Sequence, residues 1–122
     1  MIITIDGLGG TGKSSQSKRL AQELGFTYFN TGSLYRYLTL KLIIDNVKFE
    51  EPEVLKAYLN QFKFNFDGDG KLILDSGLTE KDLASMEVSV YSATVAAVPD
   101  VKARVVAEQR AFGNSHNTIM EG

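Results

Sequence analysis

The chain has 122 residues, of which 43% are hydrophobic and 23% charged, with a formal net charge of −2. That is the length of one domain able to bury a single core, and the charge argues against nucleic-acid binding by bulk electrostatics. With no cysteine and one histidine, disulfide frameworks, thiolate metal sites and any mechanism needing two imidazoles are excluded. No apolar run reaches the roughly 18 residues of a membrane span. The first residues lack the basic region and apolar stretch of a signal peptide, so a cytoplasmic protein with no membrane partner is expected.

Residues 2–5 are apolar and β-branched, the pattern of a buried strand. They run into Asp6-Gly7-Leu8-Gly9-Gly10-Thr11-Gly12. A helix is expected over 13–24, with Gly25 as its stop. Residues 26–29 read as a second strand, Asn30-Thr31-Gly32-Ser33 as a turn with capping residues, and 34–44 as a helix. Strand, glycine-rich turn, helix, strand is the order of a parallel βαβ unit.

The middle differs in texture. Residues 53–59 look helical. Phe62, Phe64 and Phe66 alternate with Lys63 and Asn65, the period of a half-exposed strand. Asp67-Gly68-Asp69-Gly70 signals a hairpin turn, with 71–74 as the returning strand. An antiparallel piece does not belong in a parallel sheet, so residues 48–85 are expected to form a small insert on a framework made of 1–47 and 86–122. Helices follow over 85–98 and 101–112, then a polar loop over 113–117. Residues 118–120 read as another buried strand. The expected class is therefore α/β: three parallel strands flanked by helices, with the first strand central and a small antiparallel insert.

Gly7-Leu8-Gly9-Gly10-Thr11-Gly12-Lys13-Ser14 fits G-x-x-x-x-G-K-[ST], the P-loop. Glycines let successive backbone N–H groups point inward without side-chain clash, and the following helix N-terminus completes an anion cradle. The Lys13 ammonium can reach the β- and γ-phosphates of a nucleotide. The Ser14 hydroxyl can ligate Mg²⁺, and Ser15 can contact the α-phosphate. A dinucleotide-binding reading fits poorly. The spacing is not G-x-G-x-x-G, and Asn30 stands where an acidic residue should follow the second strand.

Asp6-Gly7-x-x-Gly10-x-Gly12-Lys13-Ser14 followed by Asn30-Thr31-Gly32-x-x-Tyr35-Arg36 resembles bacterial cytidylate kinase, the CMP kinase family. Val95-Ala96-Ala97-x-Pro99-x-Val101-Lys102, Gln109-Arg110 and Thr118-Ile119-Met120-Glu121-Gly122 continue the resemblance in order along the chain. The resemblance implies a P-loop kinase fold and ATP-dependent phosphorylation of CMP and dCMP, with Mg²⁺ carried by the nucleotide and a monomeric enzyme. It also implies acceptor contacts from Thr31 through its hydroxyl, Arg36 through its guanidinium and Tyr35 along the pocket wall, and makes Lys13 and Arg36 the catalytic cations.

Lys102 stands where the family has arginine. It keeps the charge and loses the bidentate fork, so an acceptor contact and an ordinary exposed lysine both remain open. Glu121 stands where the family has aspartate, and either holds Mg²⁺ through water or caps the last strand. Asn30 replaces a family aspartate. The family's chain is roughly twice as long, so this sequence is expected to be part of a longer kinase. A P-loop kinase of another small acceptor and a catalytically silent nucleotide-binding module are the alternatives.

Overall fold

The computed structural model describes residues 1–5 and 13–121, with backbone alone at 13–15 and 121. The expected phosphate loop (Gly7, Leu8, Gly9, Gly10, Thr11 and Gly12) lies outside the described residues, as do the side chains of Lys13, Ser14, Ser15 and Glu121.

Among the described residues three strands form one parallel sheet: β1 (Ile2–Ile5), β2 (Thr27–Asn30) and β3 (Thr118–Glu121). Their order is β1-β3-β2. The expectation of a central first strand is thus corrected: β3 takes the centre. The reason is burial. Thr118 and Ile119 are fully buried and Met120 nearly so, whereas β1 alternates between exposed and half-buried positions. The strand that can lose water on both faces occupies the interior of the sheet. Backbone bonds hold its entry on each side. Thr118 N–H donates to Met1 O at 2.9 Å, and Thr27 N–H donates to Asn117 O at 2.8 Å.

Helix α1 (Lys13–Leu24) follows the phosphate-loop segment and packs against β3 and β2. Helix α2 (Thr31–Ile44) begins directly at the tip of β2, three residues earlier than the expected start at Leu34. Asn30 is its N-cap: the side-chain oxygen accepts from Ser33 N–H at 3.2 Å, satisfying an otherwise unpaired donor. Leu34, Leu38 and Leu42 bury the inner face of α2.

Helices α3 (Pro52–Gln61) and α4 (Glu80–Leu83) bracket the middle of the chain, followed by α5 (Met86–Ala96) and α6 (Pro99–Ser115). Prolines open α3 and α6, where a missing N–H costs nothing. The four-residue α4 has no periodic signal to betray it. Thr79 starts it, with its N–H donating to the Asp82 carboxylate at 2.7 Å.

The polar loop expected from residue 113 is also corrected, because α6 continues to Ser115. Gly113 is buried inside that helix and is not a stop. A Cβ there would lie 2.6 Å from Ile2 Cγ1, so glycine permits close approach of α6 to β1.

The expected hairpin contracts. Its turn is present: Asp67 Oδ1 accepts from the N–H groups of Asp69 and Lys71, both at 2.9 Å, and Gly70 has φ +80. The strands are not. One antiparallel bridge, Phe66 to Leu72, joins the arms. Phe62 is instead the C-cap of α3: its N–H donates to Leu59 O at 3.3 Å, and its carbonyl accepts from Arg104 Nη2 at 2.7 Å. On the other arm, Asp75 turns away to meet Lys41 at 2.6 Å.

Candidate functional site

A cleft of about 500 Å³ opens at the C-terminal tip of β2. Open α/β sheets bind ligands at the carboxyl ends of their strands. The floor of the cleft is apolar: Phe29 from β2, Leu34 from α2, Phe66 and Leu72 from the two arms, and Leu83 from α4. Its rim is polar. Asn30, Ser33 and Arg36 come from the start of α2, Asp69 and Lys71 from the turn, Lys18 from α1 and Glu80 from α4. An apolar floor with three cations and two carboxylates at its rim suits a flat, partly apolar ring carrying both an anionic group and hydrogen-bond donors.

The start of α2 shapes one wall. Arg36 Nη2 lies 3.5 Å from Ser33 Oγ, one turn back on the same helix. A Cβ on Gly32 would stand 3.2 Å from both Arg36 Nη1 and Asn30 Oδ1. The guanidinium therefore folds back over the helix N-terminus, close to the end of β2. The turn shapes the opposite wall. A Cβ on Gly70 would lie 3.0 Å from Phe112 Cζ and 3.2 Å from Tyr28 O, and would collide with Thr27 Cγ2. This close contact brings Asp69 and Lys71 to the cleft.

The other expected site residues are placed differently. Thr31 is buried at the first position of α2, and its Oγ1 accepts from Gln109 Nε2 at 2.8 Å. Tyr35 packs half-buried against the core cluster, and burial pushes its hydroxyl pKa above the ordinary tyrosine value. It is not among the residues lining the cleft. Lys102 is exposed on the first turn of α6, and it too is absent from the described cleft lining. Lys18, Ser33, Asp69, Lys71 and Glu80 line the cleft without a motif to announce them. Only the folded path of the turn and of α4 brings them together.

Strand register places one of the two residues expected to hold a metal. Glu121 sits opposite both Ile5 and Asn30, so it ends the central strand between the approach to the phosphate loop and the start of α2. A carboxylate from that position and the Ser14 hydroxyl are hard oxygen donors, which fit Mg²⁺. Among the described residues no group of three or more His, Cys, Asp or Glu could hold a metal by itself. A nucleotide-borne Mg²⁺ needs only one or two protein oxygens.

The family model described as cytidylate kinase matches residues 3–122. The chain belongs to the cytidylate kinase family.

Similar proteins carry the same name. A cytidylate kinase of Caldanaerobacter subterraneus subsp. tengcongensis is 33% identical over 120 residues, covering 98% of this chain and 53% of that protein. One from Protochlamydia amoebophila is 34% identical over 125 residues, covering 100% and 55%. One from Shewanella denitrificans is 38% identical over 126 residues, covering 99% and 56%. The chain thus spans about half the length of the curated relatives it matches. The three-stranded parallel sheet with flanking helices is consistent with a P-loop kinase fold. Among the described residues no helix is long and apolar enough to cross a membrane.

Proposed function

We propose that this protein transfers the γ-phosphoryl group of ATP to CMP and dCMP in the cytoplasm. The match to the cytidylate kinase family over residues 3–122 carries the reading. The cleft at the tip of β2 supports it, with Arg36, Lys18 and Lys71 at its rim. The bond from the γ-phosphorus to its bridging oxygen breaks, and a bond to a phosphate oxygen of CMP forms, giving ADP and CDP. No general base is needed, because the acceptor phosphate is already an anionic nucleophile.

In this reading Gly7, Leu8, Gly9, Gly10, Thr11, Gly12, Lys13, Ser14 and Ser15 bind the phosphates of ATP. Thr31, Tyr35, Arg36 and Lys102 serve the acceptor. Ser14 and Glu121 would hold Mg²⁺, which offsets charge on the phosphates when bound. Lys13 and Arg36 supply fixed positive charge where negative charge moves, the main means of catalysis in phosphoryl transfer. Residues 48–85 form the acceptor-side insert, on a framework of 1–47 and 86–122.

The test is ADP release with CMP, dCMP, UMP, AMP and shikimate as acceptors, for the natural protein and for Lys13→Ala. CMP-dependent turnover that falls about 10²- to 10³-fold in Lys13→Ala is the expected result. Faster turnover of AMP or shikimate would overturn the acceptor assignment. ATP binding that depends on Lys13, with no transfer to any acceptor, would leave a nucleotide-binding module instead of a kinase.

A further inference from the structure

Gln109 stands in the middle of α6, and its amide reaches across 78 residues of chain to Thr31. Nε2 lies 2.8 Å from Oγ1, a good hydrogen-bond length. Thr31 is only 6% exposed and lies next to Asn30 of the cleft wall without itself lining the cleft, so water competes weakly for its hydroxyl. A hydroxyl has one proton and two lone pairs. Gln109 donates into one lone pair, which turns the Thr31 proton away from α6 and leaves it available to another acceptor.

The helix that carries Gln109 is firmly held. Val101 and Val105 are fully buried, and the Phe112 ring lies 4.6 Å from that of Phe29. Arg104 donates to the carbonyls of Leu59 and Phe62 and pairs with Glu108 at 2.9 Å. The amide is therefore presented from a helix anchored both before and after it. By contrast Arg110, the next residue, is exposed.

We propose that Gln109 is a positioning residue for the acceptor nucleotide. It fixes the Thr31 hydroxyl as a donor, so that an oxygen of the nucleotide accepts from it. This rests on the reading of Thr31 as an acceptor contact.

A double-mutant cycle tests it, with CMP affinity measured by calorimetry without ATP and the thermal midpoint recorded for every variant. Gln109→Met keeps the length of the side chain and removes the donor. It is expected to weaken CMP binding about three- to tenfold, and Thr31→Val at least as much. The double variant should bind no worse than Thr31→Val alone, because Gln109 acts through that hydroxyl. Gln109→Glu presents a carboxylate that accepts the Thr31 proton. It should weaken CMP at neutral pH and regain affinity, relative to the natural protein, as the carboxyl is protonated. This variant carries the test if Gln109→Met does not fold.

If Gln109→Met and Gln109→Glu lower only the thermal midpoint and bind CMP normally while Thr31→Val weakens it, the inference fails and the acceptor reading stands. Losses that add in the double variant would also overturn it. If Thr31→Val binds CMP normally, the reading of Thr31 fails and the inference fails with it.

Discussion

Along its four residues β3 pairs with β1 on one side and β2 on the other, and Thr118 and Ile119 are fully buried between them. Along residues 62–74 a single bridge, Phe66 to Leu72, is the only strand-like pairing, and rings hold the segment in place. Phe62 lies 5.7 Å from Tyr37, 4.9 Å from Phe64 and 5.7 Å from Tyr58. Phe66 lies 5.3 Å from Phe29 and 5.2 Å from Phe112. The sheet is organised by backbone hydrogen bonds along its central strand. Residues 62–74 are held by ring contacts to β2, α2, α3 and α6. The cleft lies where the two meet, so one wall is set by a helix N-terminus and the other by a docked turn.

The sharpest test of this contrast is a pair of truncations. Phe29→Ala empties the centre of the ring cluster from the framework side and should cost about 3–5 kcal/mol of stability. Phe66→Ala removes a half-buried ring from the other side and should cost about 1–2 kcal/mol. Equal losses in chemical denaturation would break the distinction. Next, on the proposed acceptor role of Arg36, Arg36→Ala should weaken CMP about 10- to 100-fold in calorimetry, the worth of one charged hydrogen bond, with little change in unfolding.

Gly70→Ala probes the docking itself. Its φ of +80 disfavours alanine, and the added Cβ would press on Thr27 and Phe112. A loss of about 1–3 kcal/mol is expected, with hydrogen exchange accelerated most near the turn. The smallest effect belongs to Lys41 and Asp75, which pair at 2.6 Å near the surface. Asp75→Asn should cost about 0.2–1 kcal/mol, and less in high salt. Hydrogen bonds from Lys41 and then Tyr37 hold the Asp75 carboxyl pKa below its ordinary value. Its contribution is therefore complete above the ordinary aspartate pKa and fades as pH falls through the lowered one. Acid titrations of stability should show that step in the natural protein and lack it in Asp75→Asn.

Local signals marked most elements because local chemistry makes them. The apolar β-branched run at residues 2–5 appears as β1, and Pro52 and Pro99 open helices. The Asp67 to Gly70 turn forms from its own side-chain and backbone bonds. Other features depend on partners far along the chain. Gly113 reads as a break until Ile2 is seen to need its space. Phe62 closes α3 instead of opening the expected strand, and its carbonyl meets Arg104, 42 residues away.

The same division runs through the site. Read alone, the amino-acid order determined a phosphate-binding motif at residues 7–14, the family resemblance and the candidacy of Thr31, Tyr35 and Arg36. Each of these is a matter of residue type at fixed spacing, so no folding is needed to recognise it. The tertiary structure decided which strand is central, which polar groups line the cleft and which residue meets Thr31. Lys18, Lys71 and Glu80 converge only after the turn and α4 have packed against β2 and α2, and Gln109 meets Thr31 only once α6 is seated beside α2. Such contacts are set by burial and by the pairing of distant polar groups, which spacing along the chain does not encode.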